Sequence, residues 1–289
     1  MSDTHSHFTV DGHPIHAHES GRPNGQLAMF VHGWSSSGYA LSPLFSALDR
    51  RYRCLAIDLP GYGESPPPPV EVTIPFYADV LAGLARQLSD KPIVFVGHSM
   101  GGMIGLTLAL RHPGLVERLI LLNPTVTGRL SLFINMFVTW IVMLERFPVV
   151  NWFTARMEPY MFGLTDRLMR PSSFAEQSGI NEKEYSKLRA DARRPGQGRV
   201  RADCFWAMRN NDLRGKLSQL DIPTLAIWGM EDNTVPLRDA SFLYDELKDV
   251  DLRIIPRAGH WPQFEAPEVT HRYIRAFLGT PLKLLQVEF

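Results

Sequence analysis

A serine stands in a glycine-rich segment, Gly-His-Ser-Met-Gly-Gly at residues 97–102, between the apolar run IVFV at 93–96 and an apolar helical pattern. Small residues at 97 and 101 permit a tight strand-to-helix turn, which lifts a serine hydroxyl above the sheet and places it near a helix N-terminus. The pattern predicts that Ser99 is a nucleophile. A glycine-rich turn without chemistry is the alternative interpretation.

A serine alcohol is a weak nucleophile at neutral pH, so it needs a base and a group that fixes the base's tautomer. Asp232 follows the apolar run TLAIW, and His260 follows the run LRII. Both lie where predicted parallel strands end, which is the edge where open α/β sheets place their sites. We therefore predict Asp232 and His260 as the acid and base, with the adjacent Glu231 as the competing acid. Asn123 ends a further run but is no carboxylate, which disfavours an acid from that strand.

Attack on an acyl carbon creates an oxyanion, which requires preorganised donors. Backbone N–H groups commonly supply them, one from the residue after the nucleophile and one from a loop that follows an earlier strand. Met100 follows Ser99, and the segment His-Gly-Trp at 32–34 follows the run LAMFV. The amides of Trp34 and Met100 are the predicted donors, and the Trp34 indole is either a pocket wall or part of the core.

Six short apolar runs predict strands buried on both faces of a mainly parallel sheet. They occupy residues 27–31, 54–57, 93–96, 118–122, 224–228 and 252–255. Helical spacing of apolar residues predicts helices between them, at 39–48, 74–88, 100–111, 239–247 and 266–278. Strand and helix alternate, which is typical of βαβ units with helices on both faces. Asp11-Gly12 predicts an antiparallel hairpin that opens the fold.

The alternation stops between about residues 124 and 220, where helical periodicity continues without a buried strand. We predict a core domain formed by residues 1–124 and 215–289, with a helical cap inserted at 125–214. The first half of the cap is rich in apolar side chains, with a stripe at Phe133, Phe137, Trp140 and Leu144. A cap over Ser99 presents one face to the pocket, which predicts an apolar cavity.

The composition of the chain disfavours several classes of function. Thirty basic residues balance thirty acidic ones, which disfavours nucleic-acid partners, and the only two cysteines, Cys54 and Cys204, suggest a reducing compartment. The N-terminus lacks a signal-like apolar region, and the apolar stretch at 130–144 is too short to span a bilayer, so a cytoplasmic location is expected. Five histidines lie near the start of the chain, but we assign no metal because no acid or cysteine accompanies them at ligand spacing: His5, His7, His13, His16 and His18.

Taken together, the chain resembles the α/β-hydrolase family from about residue 8 to residue 280. The matching segments are HGW at 32–34, DLPGYGES at 58–65, GHSMGG at 97–102, GMED at 229–232 and GHWPQFE at 259–265. The resemblance implies a mostly parallel eight-stranded sheet with helices on both faces, an inserted cap and no cofactor. It also implies structural roles for Asp58, Gly61, Gly63 and Ser65. Dehalogenases and epoxide hydrolases of this fold carry a carboxylate in place of Ser99, which disfavours those reactions.

The expected function is a serine hydrolase that cleaves the ester, or a related acyl bond, of a small hydrophobic substrate through an acyl-enzyme. Lactone and thioester cleavage use the same triad. C–C bond hydrolysis is a further alternative, because GHWPQFE is similar to the histidine motif of meta-cleavage product hydrolases, although those enzymes tend to carry Asn where this chain has His98. The alternatives from other classes are a binding protein for a small lipophilic ligand and a membrane-surface protein.

Overall fold

The computed structural model describes residues 4–48, 50–132, 134–136, 139–140, 170, 173–175, 181–192 and 197–279. Within these ranges, eight strands form one sheet in the order β1-β2-β4-β3-β5-β6-β7-β8. The strands are β1 Thr4–Val10, β2 His13–Gly21, β3 Gln26–Val31, β4 Tyr52–Ile57, β5 Ile93–His98, β6 Val116–Leu122, β7 Thr224–Gly229 and β8 Val250–Ile255. Each of the six predicted runs forms a strand, and the predicted eight-stranded sheet is confirmed.

The sheet is antiparallel only at its β1 end. β1 pairs antiparallel with β2, β2 pairs antiparallel with β4, and the remaining neighbours are parallel. Asp11 and Gly12 form the hairpin turn with φ of 49° and 81°. A two-residue turn with both φ values positive matches the twist of the flanking strands, which is why Asp-Gly is favoured there. The predicted hairpin is confirmed.

The helices lie between the strands and cover both faces. They are α1 Phe45–Leu48, α2 Ile74–Leu88, α3 Met100–Arg111, α4 Glu182–Ala192, α5 Gly198–Asn210, α6 Arg238–Glu246, α7 Pro262–Glu265 and α8 Pro267–Gly279. α2 begins where the Thr73 hydroxyl accepts a hydrogen bond from the Phe76 amide, which satisfies one of the unpaired N–H groups of the first turn.

Alternate side chains of β5 enter two different cores. Ile93 and Phe95 pack in the cluster that contains α2, α3 and α5. Val94 and Val96 pack in the cluster that contains α1 and α8. Each such side chain contributes roughly 1.5–3 kcal/mol by leaving water. A continuous apolar run is therefore needed, because both faces of the central strands are covered.

Two predictions about the elements need correction. Residues 252–255 are not buried on both faces: β8 is an edge strand, and Ile254 is 41% exposed. The predicted helix at 39–48 is a 3-10 helix at Gly38–Leu44 followed by the single turn α1, and it contains Pro43, which has no N–H for an α-helical bond. The predicted helix at 266–278 is confirmed as α8, and the short helix α7 precedes it.

The segment between β6 and β7 contains α4 and α5 and, within its described parts, no strand. Trp140 is 68% exposed, whereas Phe133, Phe137 and Leu144 of the predicted stripe lie outside the described residues. The division into a core and a cap at 125–214 stays a prediction. Among the helices that the structure describes, none has the length and apolar character needed to cross a membrane.

Candidate active site

Ser99 occupies the turn between β5 and α3 with φ 53° and ψ −116°. A non-glycine residue in this region costs about 1–3 kcal/mol, so the surroundings must hold it there. The Ser99 amide donates to the carbonyl of Leu122, and the Ser99 carbonyl accepts from Gly102. A Cβ on Gly101 would lie 2.0 Å from the carbonyl oxygen of Val31, which explains why the turn requires glycine at that position. The tight strand-to-helix turn predicted from the sequence is present.

Asp232 and His260 come from the loops that follow β7 and β8. His260 Nδ1 lies 2.8 Å from Asp232 Oδ2, and both side chains are buried. The other oxygen of the carboxylate, Oδ1, accepts from the amides of Thr234 at 2.7 Å and Val235 at 3.0 Å. Glu231, the competing acid, is exposed at the surface. The geometry therefore pairs His260 with Asp232, the preferred acid of the two.

Asn123 takes part in this arrangement, although the sequence offered it no role. Its Nδ2 donates to Asp232 Oδ2 at 2.5 Å and to the Gly259 carbonyl at 3.3 Å. Asn123 is fully buried and has a φ of 43°. The amide thus ties the acid to the histidine loop. Its position directly after the apolar run at 118–122 indicates the edge of the sheet that carries the site, but does not reveal that β6 lies beside β7.

His98, the residue before Ser99, contacts His260 directly. Its Nε2 donates to the His260 carbonyl at 2.7 Å, and its ring centroid lies 4.7 Å from that of His260 and 4.5 Å from that of Trp261. Burial, with a smaller effect from the charge of His260, holds the pKa of His98 well below its usual range. A neutral His98 can therefore fix the histidine loop against the Ser99 turn without competing as a charge.

The loop after β3 lies against the nucleophile turn. A Cβ on Gly33 would lie 3.0 Å from the Cβ of Ser99, so the backbone beside Trp34 passes close to Ser99. The Trp34 indole donates to the carbonyl of Arg201 in α5 at 2.8 Å. The indole therefore anchors α5 to this loop. Met100 begins α3, whose first N–H groups have no partner within the helix.

Glu265 joins the histidine loop to the segment at 173–175. Its carboxylate accepts from the amides of Ala175 at 2.8 Å, Gly259 at 3.0 Å and Trp261 at 3.0 Å. The amide of His260 in turn donates to the Ser173 carbonyl at 2.9 Å. Burial outweighs these hydrogen bonds and raises the pKa of Glu265. Sequence reasoning missed this residue because its partners are backbone groups.

Comparisons with known proteins identify the family of this chain. A family model described as alpha/beta hydrolase fold covers residues 29–267, which include Ser99, Asp232 and His260. The chain belongs to the α/β-hydrolase fold family. The predicted resemblance is confirmed, and the chain is a hydrolase of that fold.

Relatives of this α/β-hydrolase extend over nearly its whole length. An uncharacterised hydrolase of Bacillus subtilis (strain 168) is 27% identical over 275 residues, covering 94% of this chain and 96% of the relative. A 2-hydroxy-6-oxononadienedioate/2-hydroxy-6-oxononatrienedioate hydrolase of Cupriavidus pinatubonensis is 26% identical over 291 residues, covering 92% and 90%. The structure of a thermophilic esterase from Thermogutta terrifontis has a TM-score of 0.79 at 24% identity, covering 98% and 100%. These relatives do not share one substrate.

Proposed function

We propose that this α/β-hydrolase is a cofactor-free serine hydrolase that cleaves a carboxylic ester, or a related acyl bond, of a small hydrophobic substrate. The observation that carries the proposal is the buried hydrogen bond between His260 and Asp232, in a loop fixed by His98 to the strained Ser99 turn. A base with a fixed tautomer beside a strained serine is the arrangement that activates an alcohol for acyl transfer.

In the first half of the reaction, Ser99 Oγ attacks the ester carbonyl carbon while His260 Nε2 takes the hydroxyl proton. Asp232 stabilises the resulting imidazolium through Nδ1. The amides of Trp34 and Met100 donate to the oxyanion, and one such donor is worth about a hundredfold to a thousandfold in kcat. Collapse of the tetrahedral intermediate breaks the ester bond, and His260 returns the proton to the leaving alcohol. The acyl group stays on Ser99.

In the second half, His260 takes a proton from water as the water oxygen attacks the acyl carbon. The second tetrahedral intermediate uses the same two amides. Its collapse releases the carboxylic acid, and the proton on His260 returns to Ser99 Oγ. Each proton taken is given back, so the cycle consumes one water and requires no metal or redox partner.

Two observations support a hydrophobic substrate. The predicted cap is rich in apolar side chains. The rings of Trp261 and Phe174 stack with their centroids 6.3 Å apart, and Trp261 lies next to His98.

C–C bond hydrolysis is the second candidate, favoured by the similarity to the dienedioate hydrolase. Against it stands His98, which replaces the Asn expected in that group.

The test combines a burst assay on p-nitrophenyl esters from acetate to laurate with labelling by a fluorophosphonate, for the wild type, Ser99→Ala and the exposed-serine control Ser241→Ala. We expect turnover and labelling in the wild type and the control, and a loss of at least a thousandfold in Ser99→Ala. Labelling at Ser99 without ester turnover would favour the C–C or lactone reaction. Absence of both signals in the wild type would contradict the proposal and favour a ligand-binding protein.

A further inference from the structure

Four histidines stand on one face of the β1-β2 hairpin, at the edge of the sheet. In the register of the pair, His5 lies opposite His18 and His7 lies opposite His16. The opposite face of the hairpin carries Phe8, Val10, Ile15 and Ala17, which pack in the core. Period-two alternation therefore places all four imidazoles together on the other side. Three of them, His5, His16 and His18, each bring a ring nitrogen within 4.8 Å of the other two.

Asp58 fixes the orientation of His16. Its Oδ2 lies 2.7 Å from His16 Nδ1, and the same carboxylate accepts from the amides of Gly38 at 2.7 Å and Glu64 at 2.9 Å. His16 Nδ1 therefore carries the proton, and Nε2 presents a lone pair. That nitrogen lies 2.8 Å from His5 Nδ1 and 3.6 Å from Glu64 Oε2. A carboxylate behind a histidine is the usual outer support of a metal-bound imidazole.

We propose that His5, His16 and His18 bind one first-row transition-metal ion, with Glu64 as a further oxygen ligand and Asp58 as the support of His16. Imidazole is the preferred ligand of Zn²⁺, Cu²⁺ and Ni²⁺, whereas Mg²⁺ and Ca²⁺ prefer oxygen. On binding, the proton that His5 Nδ1 donates to His16 moves to the outer nitrogen of His5, so the ring stays neutral. Glu64 offers a negative charge to the ion.

The spacing of the ligand atoms suits such an ion. Two nitrogens bound at about 2.0–2.1 Å lie about 2.9 Å apart at a right angle and about 3.4 Å apart at a tetrahedral angle. The His5 and His16 nitrogens, 2.8 Å apart, meet the first value as they stand. His5 is exposed and His18 is half-buried, so both rings can adjust. His16 is the buried, fixed member of the set.

The sequence expectation of no metal rested on the lack of an acid at ligand spacing near the histidines. Asp58 and Glu64 lie more than forty residues further along the chain, and the pairing of β2 with β4 brings them to His16. The ion would link β1, the edge strand, to β2 and to the loop after β4. Its expected role is structural, and it is independent of the proposed reaction at Ser99.

The experiment uses the full chain, prepared without a polyhistidine tag and treated with a chelator. Isothermal titration calorimetry with ZnCl₂, NiCl₂ or CuCl₂ is expected to give one ion per chain, with MgCl₂ as the negative probe. Replacing both adjustable ligands, in His5→Gln with His18→Gln, should weaken binding by at least tenfold, since even outer-support changes cost about 10–100-fold. His13→Gln, which changes the same hairpin outside the cluster, should bind like the wild type.

Thermal unfolding supplies the second readout, because an ion that binds only the folded chain raises the melting temperature. Zn²⁺ should raise Tm in the wild type and in His13→Gln, and leave it unchanged in the double variant. No binding, several weak equivalents, or equal binding by the double variant would overturn the site. Neither replaced side chain is buried, so the variants are expected to fold and the comparison remains decisive.

Discussion

Two buried histidine–aspartate pairs stand at different places in this α/β-hydrolase. His260 Nδ1 lies 2.8 Å from Asp232, and His16 Nδ1 lies 2.7 Å from Asp58. In both pairs the carboxylate fixes the tautomer and leaves Nε2 as the nitrogen with the lone pair. The two nitrogens differ in what lies around them. One belongs to a loop joined to the Ser99 turn, and the other meets His5 on an edge hairpin.

The supports of the two carboxylates also differ. Asp232 accepts from its own loop and from the Asn123 side chain, all at the carboxyl edge of the sheet. Asp58 accepts from Gly38 and Glu64, and thereby connects the hairpin to two loops. The same pair of side chains therefore has a proposed role in the reaction at Ser99 in one place, and a proposed role in holding the hairpin and its ion in the other. The chemistry of a histidine–aspartate pair therefore depends on the group that lies next to Nε2.

The largest expected contrast is between the histidines. His260→Gln should lower kcat by about 10^4–10^6-fold and change stability little, because it removes the proposed base. His16→Gln should lower Tm, because Asp58 loses its imidazole partner, and should reduce turnover per folded molecule less than tenfold. Steady-state kinetics and thermal unfolding of both variants test the contrast. Similar kinetic losses in the two would remove the distinction between the pairs.

Replacing the proposed acid is expected to lower kcat strongly, as replacing the proposed base does. Asp232→Asn should lower kcat by about ten-thousandfold. An amide does not stabilise the imidazolium, and it does not hold the neutral imidazole in the correct tautomer. Glu231→Gln, the adjacent and exposed carboxylate, is the matched control and should stay within twofold of the wild type. Full activity in Asp232→Asn, or a large loss in Glu231→Gln, would transfer the acid role to Glu231.

Asn123 is expected to act as a positioning residue for Asp232. Asn123→Ala removes a hydrogen bond to a charged oxygen, worth about 1.5–3 kcal/mol, so we expect kcat to fall about 10–100-fold with KM unchanged. The control is Asn211→Ala, which removes a bond to the hydroxyl of Thr107 on α3. If Asn123→Ala and Asn211→Ala changed kcat and KM to the same extent, in proportion to their fall in Tm, Asn123 would be a structural residue only.

Features formed by residues close together in the chain could be predicted from the sequence. Several contacts between residues far apart in the chain could not. The Ser99 turn is local: Gly97 and Gly101 surround the serine between a strand and a helix, and the structure has the strained turn there. The order of runs likewise predicts that the ends of β7 and β8 share an edge. Asn123 and the Asp58–His16 pair depend on which strands become neighbours, a property that spacing along one chain does not contain. The described hydrogen bonds of the Glu265 carboxylate come from backbone amides, which no side-chain pattern reveals.

Glu265 carries the smallest expected effect, and it concerns how firmly the histidine loop is held. Its pKa is raised by burial, so the folded chain binds this proton more tightly than the unfolded chain. The associated stability is present below the usual carboxyl pKa and is lost as pH rises through the raised one. Glu265→Gln should remove this slope from the dependence of Tm on pH. It should also cost about 1–3 kcal/mol, because a Gln amide meets one of the three backbone donors with a donor of its own. Exposed Glu268→Gln should preserve the wild-type slope. A slope that survives in Glu265→Gln would assign the pH dependence to another carboxylate.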